Sequence, residues 1–263
     1  MGRHGDGYIH HPEAVRSGIM WFSKRALHLI AFATGGLAVT LAATAAAVAD
    51  GDGNAPKAPG AFLDVRRQQP ISGDVQAGKA LSNVCSACHG ANGLGIAPTF
   101  PDLAGQSATY LYVQLKTFKD GERSDPVMGP LVASLGDAEM RNLAAYYASL
   151  PPKPGAGAAA ASPGGRLFSD GDPSRGIPPC QGCHGANGKG PRSDADVNTT
   201  QPRPPWATIP RLQGQSGTYV AKALHDFKSG ARGKTSNAKI MQGVAKSLSE
   251  ADIKAVADFV DAH

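Results

Sequence analysis

The sequence predicts an all-α protein built as two tandem copies of one small helical unit. Three observations carry this expectation. Apolar residues recur at helical spacing in several segments, no stretch alternates convincingly as a strand, and the second half restates landmarks of the first. At about 100–200 residues per domain, a chain of 263 residues has room for one or two. With only 6% aromatic residues, each unit has a thin core of its own.

The N-terminal part reads as an export segment. Lys24 and Arg25 precede a run from Ala26 to Ala49 without Asp, Glu, Lys or Arg, which ends Ala47-Val48-Ala49. A positive flank, an apolar stretch and a small-residue end make a secretory signal, and the run is also long enough to serve as a membrane anchor. Residues 1–49 are therefore expected to be a signal peptide or N-terminal anchor, with the rest of the chain across the membrane in the periplasm. His4, His10 and His11 fall before this run and read as incidental. Residues 50–73, rich in Gly, Pro, Ala and polar side chains, read as a flexible tether.

Two short motifs follow: Cys85-Ser86-Ala87-Cys88-His89 and Cys180-Gln181-Gly182-Cys183-His184. Both are C-x-x-C-H, the attachment signature of a c-type haem, and together they use all four cysteines. The thiols of Cys85, Cys88, Cys180 and Cys183 suit thioether bonds to the haem, and His89 and His184 suit iron. A zinc ribbon would place its second cysteine pair about 15–20 residues on, far closer than these pairs. A thioredoxin-like dithiol would need a βαβ context that the sequence lacks. Two motifs imply two covalently bound haem c groups.

The flanks repeat as well. Cys88-His89-Gly90-Ala91-Asn92-Gly93 corresponds to Cys183-His184-Gly185-Ala186-Asn187-Gly188, and Pro101 to Ser107 corresponds to Pro210 to Ser216. Phe118 matches Phe227, and Leu135 matches Leu248. The growing offset between matched residues requires insertions of 14 and 4 residues in the second copy. The larger lies within Pro191–Ile209, a polar, Pro-rich loop, and the smaller near Gly233–Lys239. Residues 151–163 form the linker between domain 1 (74–150) and domain 2 (164–263).

Within each copy the helices can be placed. Leu81, Val84, Cys85 and Cys88 share a helical face, so the first motif closes a helix. Ser107 as N-cap and Gly121 as terminator bound a second helix, whose counterpart runs from Ser216 to Gly230. Met140, Leu143, Ala144 and Tyr147 lie on a closing helix. Its counterpart carries Ile253, Val256, Ala257 and Val260 and opens at Ser249 and Asp252 with a capping-box pattern.

A second axial ligand is sought among the methionines, because Met/His ligation raises the potential of a cytochrome haem. Met128 aligns with Met241, each seven residues before a matched leucine, in segments that read as loops. Met140 aligns with Ile253 and therefore reads as core. Met128 and Met241 are the candidate axial ligands. His225 aligns with Lys116 within a helix and reads as solvated, and terminal His263 as mobile. The carbonyl of Pro98 is a candidate partner for the second nitrogen of His89. Tyr110 and Tyr219 align and read equally as haem-edge contacts or as plain core aromatics.

From Asp74 onward these features resemble the dihaem cytochrome c4 family. The resemblance rests on the paired C-x-x-C-H-G, the Gly-Gln-Ser runs, the Gly-Ile-Pro-Pro-Cys approach to the second motif and the spacing to both methionines. It implies two tandem class I cytochrome c-like domains, each wrapped around a covalent haem. It further implies a periplasmic carrier that takes electrons from a membrane donor and passes them to a haem-copper terminal oxidase of the respiratory chain.

With both axial positions filled, the iron suits electron transfer, so the chain is expected not to be an enzyme. The alternatives are an electron-transfer subunit of a periplasmic dehydrogenase and a dihaem peroxidase, which would need an iron that can open. The formal charge of +5 comes without a basic run interleaved with aromatics, so nucleic acid is not an expected partner. The charge is uneven: residues 74–150 carry 5 basic and 7 acidic side chains, residues 164–263 carry 13 and 9. Such unequal ends would orient a carrier against charged partners. Membrane association, if any, would run through residues 26–49.

Overall fold

The computed structural model describes residues 64–65, 68–155, 160–191 and 206–262. The leader, the histidines before it, most of the expected tether, the middle of the Pro-rich insertion and His263 lie outside these residues. Among the described residues the regular structure is helical apart from one isolated bridge between Asp172 and Ile177. None of these helices is long and apolar enough to cross a membrane.

The first half contains α1 (Val75–Leu81), α2 (Asn83–His89), α3 (Ala108–Lys119), α4 (Met128–Val132) and α5 (Asp137–Ser149). The second contains α6 (Pro163–Asp170), α7 (Gln181–His184), α8 (Gly217–Ser229), α9 (Ser236–Lys246) and α10 (Glu250–Asp261). Local chemistry sets the ends. The Asp74 carboxylate accepts from the N–H groups of Gln76 and Ala77 at the start of α1. Ser107 caps α3 through the N–H of Tyr110. Ser249 and Asp252 form a reciprocal capping box on α10, satisfying backbone donors that a helix start leaves unpaired.

Both halves use one packing plan. The first helix of each half crosses its last, α1 on α5 and α6 on α10, and α3 and α8 pack alongside. A glycine makes each crossing possible. A Cβ on Gly78 would lie 2.0 Å from the Asn142 carbonyl oxygen, and one on Gly164 would lie 2.0 Å from that of Ala255. Asn142 and Ala255 occupy equivalent positions on the closing helices, so Gly78 and Gly164 are structural counterparts.

That pairing exposes an insertion the sequence comparison does not detect. Gly78 precedes Cys85 by seven positions, whereas Gly164 precedes Cys180 by sixteen. In the first half only Ser82 separates α1 from α2. In the second, the Gly171–Pro179 connection intervenes, turned by Asp172 and Ile177, whose backbones exchange hydrogen bonds of 2.8 and 2.9 Å.

Two further expectations change. The segments bearing Met128 and Met241 are helical rather than loops: Met128 opens α4 and Met241 lies inside α9. The smaller insertion supplies Thr235 as a cap on the N–H of Ala238, which starts α9 well ahead of the methionine. The C-terminal end of the expected tether is also fixed to the fold. Val65 is buried in the first core and its N–H donates to Ser236 Oγ, while Ile71 N–H donates to Thr109 Oγ1. Apolar side chains there gain more from burial than a free tether gains from chain entropy.

Candidate haem sites

Each site is assembled where a motif helix ends. Cys85 and Cys88 lie on α2, and His89 is its last residue. Cys180 caps α7, Cys183 lies within it, and His184 closes it. A glycine follows each histidine with positive φ, 73° at Gly90 and 77° at Gly185. A Cβ on either would strike a backbone oxygen, Leu94 at 2.1 Å and Gly190 at 1.9 Å. The chain therefore needs glycine to leave the helix and fold back beneath the imidazole.

The two histidines are buried, and their environments match. Nδ1 of His89 donates to the Pro101 carbonyl at 2.9 Å, and Nδ1 of His184 donates to the Pro210 carbonyl at 2.9 Å. A carbonyl only accepts, so the proton sits on Nδ1 and Nε2 keeps its lone pair. Burial lowers the pKa of both rings more than these bonds raise it, so they are neutral, the state a metal-ligating imidazole requires. The Pro98 expectation is overturned. The Pro98 carbonyl instead accepts from Ser216 Oγ at 2.6 Å. Pro101 and Pro210 occupy the same place in the repeat, so the sequence held the signal.

The four cysteines are free of disulfides. Burial pushes the thiol of Cys85 up and that of Cys180 up to about 11, so both are protonated thiols at neutral pH. Among the described residues no cluster of three or more His, Cys, Asp or Glu could hold a metal ion. Two thiols three positions apart, followed at once by a buried imidazole whose Nδ1 is committed to a carbonyl, fit haem c.

Met140 lies in the core, as its match to Ile253 leads one to expect. Met140 is 3% exposed within the first core, and its counterpart Ile253 is 1% exposed within the second. Met128 and Met241 are only partly buried. Met241 packs on the same apolar cluster as Cys180 and Leu212. His225 is at the surface, where Nε2 lies 2.7 Å from Glu250 Oε2.

The halves belong to one compact unit and meet in a set of reciprocal contacts that the sequence analysis missed. Gln106 Oε1 accepts from Arg211 N–H at 2.8 Å, and its Nε2 donates to the Arg211 carbonyl at 2.8 Å. Gln215 treats Asp102 in the same way, at 2.9 and 3.0 Å. Ser107 Oγ donates to the Ala207 carbonyl as Ser216 Oγ does to that of Pro98. Tyr110 and Tyr219 belong to this junction as well. Their hydroxyls accept from Arg232 and Arg123, and each arginine also lies over a phenylalanine ring of its own half. Each of these glutamine, serine and tyrosine contacts has its counterpart at the matched position of the other half, which gives this part of the junction approximate twofold symmetry.

Comparison with known proteins agrees with this geometry. The chain matches the family described as Cytochrome c over residues 75–151 and again over 162–263. It is 40% identical to cytochrome c4 of Pseudomonas aeruginosa over 190 residues, covering 72% of this chain and 88% of that protein. It is 36% identical to a thiosulfate dehydrogenase electron acceptor of Stutzerimonas stutzeri, covering 66% and 76%. Among solved structures it resembles reduced recombinant cytochrome c4 from Pseudomonas stutzeri, with a TM-score of 0.63 and 36% identity over 72% of this chain and 98% of that one. With two tandem cytochrome c domains and a cysteine pair for a covalent haem c in each, the chain belongs to the cytochrome c family and, within it, to the dihaem cytochromes c4.

Proposed function

We propose that the chain is a periplasmic dihaem electron carrier, with one haem in domain 74–150 and one in domain 164–263, joined by residues 151–163. Cys85 and Cys88 hold the first haem, with His89 and Met128 as axial ligands. Cys180 and Cys183 hold the second, with His184 and Met241. The observation that carries this reading is the matched pair of buried, neutral histidines, each fixed through Nδ1 on a proline carbonyl and each beside its own cysteine pair.

Haem c supplies one-electron exchange between ferric and ferrous iron. The polypeptide makes that exchange easy by staying still. The proline carbonyls hold each imidazole in one orientation and one tautomer, and the closing helices exclude water from the apolar side of each site. Met128 with His89, and Met241 with His184, would hold each iron from the protein side, which would suit a carrier and would leave a peroxidase without an open coordination site.

The resemblance to cytochromes c4 supports a respiratory donor in the membrane and a haem-copper terminal oxidase as acceptor. A second reading has its own support: relatives named as electron acceptors of thiosulfate dehydrogenase favour service to a periplasmic dehydrogenase. Carbon monoxide added to the fully reduced protein tests the closed-site assignment. An unchanged low-spin spectrum is expected, and prompt binding would overturn it. Oxidation rates of the reduced protein by oxidase-containing membranes, set against reduction rates by a thiosulfate-oxidising dehydrogenase, then separate the two partner classes.

A further inference from the structure

The junction reaches the haem ligands. His89 donates to the carbonyl of the Pro101–Asp102 peptide, and the N–H of that same peptide donates to Gln215 Oε1 from the other half. His184 donates to the Pro210–Arg211 peptide, whose N–H donates to Gln106 Oε1. Each buried imidazole therefore begins a chain of two hydrogen bonds that crosses the junction and ends on a carboxamide of the opposite half.

The carboxamides cannot turn freely. Gln106 and Gln215 are 6% and 7% exposed. The Nε2 of each donates to a carbonyl across the junction, and the Oε1 of each also accepts the N–H of the following serine. These partners fix which end of the amide is oxygen. Their own backbone N–H groups bond to Leu103 and Leu212, the second residues after Pro101 and Pro210. Each glutamine is thus anchored to its own half's proline segment while it grips the other's.

Hydrogen bonds in series strengthen one another in a buried setting. Donation by the peptide N–H moves electron density onto its carbonyl oxygen. The carbonyl then draws harder on the imidazole N–H, and the ring becomes a stronger donor to iron. A stronger donor favours the ferric state and lowers the potential. We propose that this control is crossed: Gln215 lowers the potential of the haem in the first half, and Gln106 that of the haem in the second. Both are positioning residues that act through a peptide of the opposite half. The proposal rests on His89 and His184 being the iron ligands.

The experiment is a redox titration of the full-length dihaem protein, with paramagnetically shifted NMR signals assigning each haem to its half. Gln215→Ala is expected to raise the potential of the first-half haem and leave the second unchanged, and Gln106→Ala to do the reverse. Gln215→Asn and Gln106→Asn keep a buried carboxamide but withdraw it by one methylene, and should give the same crossed pattern if the alanine variants fold poorly. Tyr219→Phe removes a hydrogen bond at the junction without touching either proline peptide, and should move neither potential. A shift confined to the variant's own half, equal shifts at both haems, or no shift would overturn the proposal. The ligand assignment fails separately: the NMR spectrum of the unsubstituted protein would then lack the shifted signals of an iron-bound His89 or His184 imidazole.

Discussion

Arg232 Nη2 donates to Tyr110 Oη at 3.0 Å across the junction between the halves. Arg232 is only 8% exposed, and the same nitrogen donates to Gln114 Oε1 at 2.7 Å. Arg232→Met keeps most of the bulk but deprives two half-buried acceptors of that donor. A loss of about 1–3 kcal/mol is expected, read from urea unfolding followed by circular dichroism. A stability within error of the parent would show that the junction does not depend on this cation.

The mirror residue gives the junction a pH dependence. Burial opposes ionisation of Tyr219, but Arg123 and Arg232 outweigh it and bring the phenol down to about 8. In the unfolded chain the phenol titrates near ~10. Between these values the unfolded state binds more protons, so the Tyr219 contribution to stability rises from pH 8 to 10. Below pH 8 it is absent. Unfolding midpoints compared with Tyr219→Phe across this range should diverge as pH rises, and the phenolate absorbance of the native protein should grow early. Parallel curves would refute the assignment.

The methionines should behave differently from one another. Met128→Ala and Met241→Ala should each lower the potential of one haem and let carbon monoxide bind there. Met140→Ala should leave the visible spectrum unchanged and destabilise the first half by about 2–5 kcal/mol, the usual cost of a buried cavity. Loss of the low-spin spectrum in Met140→Ala would reverse the ligand assignment.

The helix crossings give a stability test independent of haem. Gly78→Ala and Gly164→Ala put a methyl onto a backbone oxygen and should cost about 1–3 kcal/mol each in thermal or urea unfolding. Gly243→Ala in α9 meets nothing within 4 Å and should be neutral or gain up to about 1 kcal/mol from helix propensity.

Much of the site was legible because its chemistry is local. C-x-x-C-H places two thiols and an imidazole within one or two helical turns, and the glycine after it marks the turn that both halves need. The capping box at Ser249 and the burial of Met140 followed from spacing alone. Pro98 was the wrong carbonyl because loop sequence does not say which oxygen turns toward a ring; the repeat pairing of Pro101 with Pro210 was the better guide. The match of Gly78 to Gly164 was hidden by a nine-residue difference in connection length.

The sequence by itself determined the two haem attachments, the duplication and the helical cores, since each follows from side-chain types a few positions apart. Only the tertiary structure decided what joins the halves. Gln106 and Gln215 read as ordinary polar residues before a helix, and their partners lie 105 and 113 positions away. No local preference selects such a pair. It forms because docking the two halves takes peptide groups out of water, and each group so buried must find its hydrogen-bond partner on the opposing surface.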